Sequence, residues 1–106
     1  MNETMDLHKL WENAQPIIKK SMTAMSYQLW IEGLEPLCVL NDALVFTYTG
    51  DMALDTLRNL YTAPVTSAIA DTSGAAYRIV FVPSDEREKY LRLKEEESRR
   101  EDTMLN

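Results

Sequence analysis

Basic residues are scarce ahead of Ser84. Only Lys9, Lys19, Lys20, Arg58 and Arg78 stand there against Glu3, Asp6, Glu12, Glu32, Glu35, Asp42, Asp51, Asp55 and Asp71, and the 106-residue chain has a formal net charge of −6. A phosphate backbone is bound by Lys and Arg that release its counterions, so tight direct binding of nucleic acid is excluded and a protein partner is the first expectation. Cysteine is nearly absent. Cys38 has no second cysteine to pair with and no Cys/His companion at metal-ligand spacing, which excludes an internal disulfide and fits a reducing compartment. Glycine is rare as well: Gly33, Gly50 and Gly74 each stand alone and read as turns, with no GxxxxGK[ST] or GxGxxG to cradle a nucleotide. The single histidine, His8, reads as a surface residue of the first helix, and Cys38 as a small hydrophobe packed in a strand. No enzyme activity, cofactor or metal is therefore expected. No uncharged run approaches the roughly 18–20 apolar residues of a membrane span, and Glu3 and Asp6 stand where a secretory signal needs basic residues. The chain is expected to be cytoplasmic and away from membranes.

What the sequence does contain is helical and strand periodicity in alternating blocks, in a length suited to one core. Leu7, Leu10, Trp11, Ala14, Ile17, Ile18 and Ser21 fall at intervals of three and four. They predict a first helix from about Asp6, its N-cap, to about Ser21, with a kink at Pro16. Thr23 caps a short second helix carrying Met25, Leu29 and Trp30, which Gly33 ends. LEPLCVL and ALVFTYT, separated by Asn41 and Asp42, predict a hairpin. On its second strand Leu44, Phe46 and Tyr48 face a core, while Val45, Thr47 and Thr49 face a wetter side. Asp51 is placed to cap a third helix through Leu57, Leu60, Tyr61, Pro64, Val65, Ala68 and Ile69, with a break at Pro64. AYRIVFV then alternates as a third strand. The fold class is α+β, in the order helix, helix, strand, strand, helix, strand, with helices on one face of a short three-stranded sheet.

A domain over residues 1–83 is thus followed by a charged tail over 84–106, in which Tyr90, Leu91 and Leu93 are too few to extend a core. Glu88 with Arg92 and Glu96 with Arg100 have helical spacing. Since each such pair is worth only ~0.2–0.5 kcal/mol, a partial helix is expected.

LHKLW, then SYQLW, then LEPL, the hairpin, and NLYTAPVTSAI before the last strand, taken in this order and spacing, resemble the N-terminal domain of the bacterial chromosomal replication initiator DnaA. The resemblance runs from Leu7 to Val82. Met104-Leu105-Asn106 also looks like the start of the segment that opens the ATPase domain in that family. The resemblance implies a KH-like fold and a protein–protein interaction module. It implies initiator self-association (oligomerisation), helicase loading through recruitment of the replicative helicase, and docking of initiation regulators. DNA recognition and ATP use belong to later domains of that family, and no GXXG clamp for single strands is present. A free-standing small adaptor that carries such a domain and regulates initiation is the alternative.

By this resemblance the interface candidates are Leu10 and Trp11 on the first helix, Ser26 and Tyr27 on the second, and Asp51 and Met52 before the third. Two departures stand out. Ser26 occupies a position that is acidic in some members, and Gly50-Asp51-Met52 replaces an asparagine–x–phenylalanine. Trp11 is open between a core ring and an exposed contact between molecules. Tyr27 is divided in the same way, and Met52 either meets a partner or packs the helix start. Trp30 is read as core.

Overall fold

The structure, a computed structural model, describes residues 6–49 and 53–105, the last five by their backbone alone. Helix α1, Leu7–Lys19, begins as its sequence dictates: the Asp6 carboxylate accepts the Lys9 N–H at 3.1 Å. Leu10, Trp11, Ala14 and Ile18 form its buried stripe, and Ile17 falls outside it, exposed. Pro16 does not interrupt the helix. A proline there removes one backbone bond, which the four buried side chains outweigh. Helix α2, Ala24–Ser26, opens with the Ser26 N–H donating to Thr23 Oγ1 at 3.1 Å and continues as a π-helical turn, Tyr27–Ile31. The element ends at Ile31 without a left-handed residue, since Gly33 has no positive φ.

Strands β1, Glu35–Leu40, and β2, Ala43–Tyr48, pair antiparallel around Asn41 and Asp42, whose φ values of 50° and 66° are those of a type I′ turn. A bulge between Pro36 and Cys38 turns Leu37 and Cys38, neighbours in sequence, towards the same side of the sheet. Helix α3, Leu54–Ser73, is continuous through Pro64 and ends on Gly74, which at φ 77° is in the left-handed conformation that glycine adopts most readily. Asp51 lies outside the described residues. The N-cap position belongs to Ala53, with no side-chain bond. Strand β3, Arg78–Pro83, runs parallel to β2 and completes a mixed sheet of order β1-β2-β3.

Helices α1 and α3 cover one face of this sheet, over Leu44, Phe46, Tyr48, Ile79 and Phe81. The opposite face departs from expectation. Every residue of β2 is buried, Val45 and Thr47 included, because the charged tail is an unbroken helix, α4, Arg87–Leu105, that leans on β1 after a 3-10 turn, Ser84–Glu86. Tyr90 of α4 packs on a second cluster of Cys38, Val45 and Val82, with Leu37, Leu40 and Val80 at its margin. The tail therefore adds one aromatic ring to a small outer core.

Candidate interaction surface

The predicted interface residues divide sharply by burial. Trp11 is 5% exposed; its indole N–H donates to the Leu34 carbonyl at 3.1 Å and its ring meets Phe46 edge-on, centroids 4.8 Å apart. That hydrogen bond fastens α1 to the start of the sheet and satisfies a carbonyl cut off from water. Leu10 and Tyr27 lie in the same buried cluster. Burial raises the Tyr27 phenol above its ordinary pKa, the Glu32 charge adds to this, and a hydrogen bond with the Gln15 side chain pulls it partly back. Lys19 Nζ lies 5.4 Å from the centre of the Tyr27 ring. Ser26 is half-buried at the edge of the same helix. Asp51 and Met52 lie outside the described residues. Of the two alternatives for Trp11 and for Tyr27, the folded chain alone adopts the packed one; a direct contact through either ring requires it to be uncovered first.

The exposed apolar surface is made by other residues. Met25 is 71% exposed, Leu29 62% and Leu60 60%. The sequence neighbours of Leu29 and Leu60, Trp30 and Tyr61, are half-buried and stack with centroids 5.4 Å apart and an angle of 20° between rings, joining α2 to α3. Trp30 is thus half-buried at the edge of the main core, packed against it but less enclosed than the core residue expected of it. The second helix carries two apolar pairs at i,i+4, Met25/Leu29 and Tyr27/Ile31, which lie about 200° apart around the axis. Periodicity alone does not say which pair turns inward. The structure buries Tyr27 and Ile31. Leu60, counted above with the periodic residues of the third helix, is exposed for a reason its position carries: at 100° per residue it lies about 110° from the centre of the stripe through Leu57, Tyr61, Val65, Ala68 and Ile69, outside the covered arc. The π turn, closed by the Glu32 N–H on the Tyr27 carbonyl at 2.9 Å, widens the backbone beneath Leu29 and Trp30. Such turns recur at functional sites.

The reactive groups singled out from the sequence stand apart from this surface. His8 is exposed, and burial pushes the Cys38 thiol pKa up, away from nucleophilic character. Among the described residues no cluster of three or more His, Cys, Asp or Glu is placed to hold a metal ion, and no helix is long and apolar enough to cross a membrane. Among the described residues, two clefts along α4 hold about 260 and 140 Å³.

Comparison with known proteins points in one direction. Over 90 residues the chain is 26% identical to the chromosomal replication initiator protein DnaA of a Thermoanaerobacter species, and equally to that of Thermoanaerobacter pseudethanolicus. No known family model matches the chain. The aligned region takes in 85% of this chain and spans 20% of the length of each of these relatives, so the similarity is to a small part of a replication initiator.

Proposed function

We propose that the chain is a protein–protein interaction module of a bacterial replication initiator, working in the cytoplasm by contact and catalysing nothing itself. The supporting observation is the apolar surface of Met25 and Leu29 beside the Trp30–Tyr61 stack, on a domain whose core is already closed. Large apolar side chains left in water at the join of two helices lower the free energy only when another surface covers them. The similarity to DnaA supplies the context, and with it the candidate partners: a second copy of the chain, the replicative helicase and regulators of initiation. In this reading Ser26 lies at the edge of the contact surface, while Leu10, Trp11 and Tyr27 hold α2 in place from beneath. Asp51 and Met52, which precede α3, remain candidates for its border.

Sedimentation equilibrium over a wide concentration range tests the self-association. The wild type is expected to associate weakly. Leu29→Asp, which places a charge on an already solvated position, is expected to weaken association about tenfold or more with an unchanged melting temperature. A wild type that stays monomeric at high concentration removes self-association from the proposal and leaves the helicase and regulators as partners, to be tested by co-sedimentation of the same two proteins with the helicase.

A further inference from the structure

We propose that α4 is a displaceable strap over the outer face of the sheet, latched at the hairpin tip by Glu97, and not a fixed part of the core. Three observations carry this. First, the side of α4 that meets the domain is mostly polar: Tyr90, Lys94 and Glu97 follow one another at spacings of four and three and are its half-buried positions among the described side chains, continuing from the half-buried Glu86 of the 3-10 turn. Among the described side chains of α4 none is fully buried, whereas α1 and α3 each bury four. Second, the polar fastenings described at its two ends lie near water. Glu97 Oε2 accepts the Asn41 N–H at 2.7 Å while Oε1 accepts from Lys94 Nζ at 3.1 Å, and at the other end Arg87 meets Glu35 at 3.8 Å with both side chains more than half exposed. Exposed ion pairs hold little, so of these two ties the bond to the backbone N–H is the stronger. The turn is a prepared partner for it: positive φ at Asn41 and Asp42 fixes the tip, and Arg78 holds the Asn41 carbonyl at 3.2 Å from the other side.

Third, what lies beneath the strap is apolar. Cys38, Val45 and Val82 are closed off by α4 on a sheet whose other face is already packed against α1 and α3. Lifting α4 therefore bares this face while leaving the principal core intact. Elements with few buried apolar contacts open at a free energy well below that of global unfolding. The bond at the latch has an electrostatic counterpart: the Asn41 N–H, and after it Lys94, holds the Glu97 carboxylate below its ordinary pKa.

Cys38, the only cysteine, reports the opening directly, since it is buried at the strap's footprint. The rate at which a disulfide reagent labels Cys38 in the full chain is measured for the wild type, Glu97→Asp and Glu95→Asp, with tryptophan emission and thermal melting followed alongside. Both substitutions keep the charge and lower helix propensity equally, but only the first withdraws the carboxylate from Asn41. Expected are slow labelling of the wild type, about three- to tenfold faster labelling of Glu97→Asp, and a wild-type rate for Glu95→Asp, with emission and melting unchanged. Tyr90→Ala, which removes the one ring that α4 lends to the cluster, should label faster still. Equal rates for the two aspartate variants overturn the latch. Labelling of the wild type only as fast as the domain unfolds, measured from its denaturant dependence, overturns the strap, as does labelling at the rate of a free thiol.

Discussion

Trp11 and Trp30 carry the same ring into two different physical situations. Trp11 is surrounded, with its N–H committed to a buried carbonyl and its ring edge-to-face with Phe46; Trp30 stacks on Tyr61 and is only half-buried at the margin of the core. Removing Trp11 leaves a large cavity and an unpaired Leu34 carbonyl, so Trp11→Ala should cost about 3–5 kcal/mol, a large part of the stability of so small a domain. Trp30→Ala forfeits a stacked pair and a partial burial, about 2 kcal/mol. Denaturant unfolding of the two variants is expected to rank them in that order, and equal midpoints would contradict the difference in burial. The sequence showed both rings to be important but not how they differ. Each sits at helical spacing beside aliphatic residues, and only the inward turn of Tyr27 and Ile31, which carries Met25 and Leu29 outward, places Trp30 at the margin. Cys38 was the simpler case, since a lone thiol in a strand of branched residues has little else to do than pack.

At the level of elements, the parts that local chemistry specifies were the legible ones. Asp6 and Thr23 cap the helices they were expected to cap, and Asn41-Asp42 forms the two-residue turn that its composition announces. Pro64 misled, since the break expected there is absent. Pro16 and Pro64 each remove one bond from helices whose existence is decided by tertiary packing, and both helices run through. The far side of the sheet was illegible for a related reason: Val45, Thr47 and Val82 look half-polar by alternation, and nothing in the mixed charges of α4 except Tyr90 announces a cover. The turn also permits a sharp test. Asp42 holds φ 66°, where a residue with a Cβ is strained, and contributes a backbone carbonyl to the Arg78 N–H at 3.2 Å that any residue can supply. Asp42→Gly relieves the strain but gains chain entropy when unfolded. The net expected is stabilisation of about 0.5 kcal/mol, raising the melting temperature by roughly 2–4 °C. Asp42→Val should lower stability by about 1–2 kcal/mol, because a branched side chain tolerates that φ least. A calorimetric melt of both distinguishes a turn that sets the register from one that merely follows it.

For the whole molecule, net charge and apolar surface act in opposite directions on association. Two copies each with a formal charge of −6 repel one another, while the surface of Met25, Leu29 and the Trp30–Tyr61 stack favours contact. Repulsion between solvated charges is screened over about 10 Å at 0.1 M ionic strength, but burial of apolar area is little affected by moderate salt. Association through this surface should therefore strengthen, about two- to fivefold, as salt is raised from roughly 0.02 to 0.3 M. An interface built on ion pairs across the two copies would weaken over the same range, because screening acts on its attraction. Sedimentation equilibrium at the two ionic strengths separates the cases, and the Leu29→Asp protein adds an internal check. If the apolar surface carries the contact, that variant stays weakly associated at high salt, since screening removes its added repulsion but cannot restore the lost apolar contact. Recovery of wild-type association at high salt would instead mean that charge alone set the affinity.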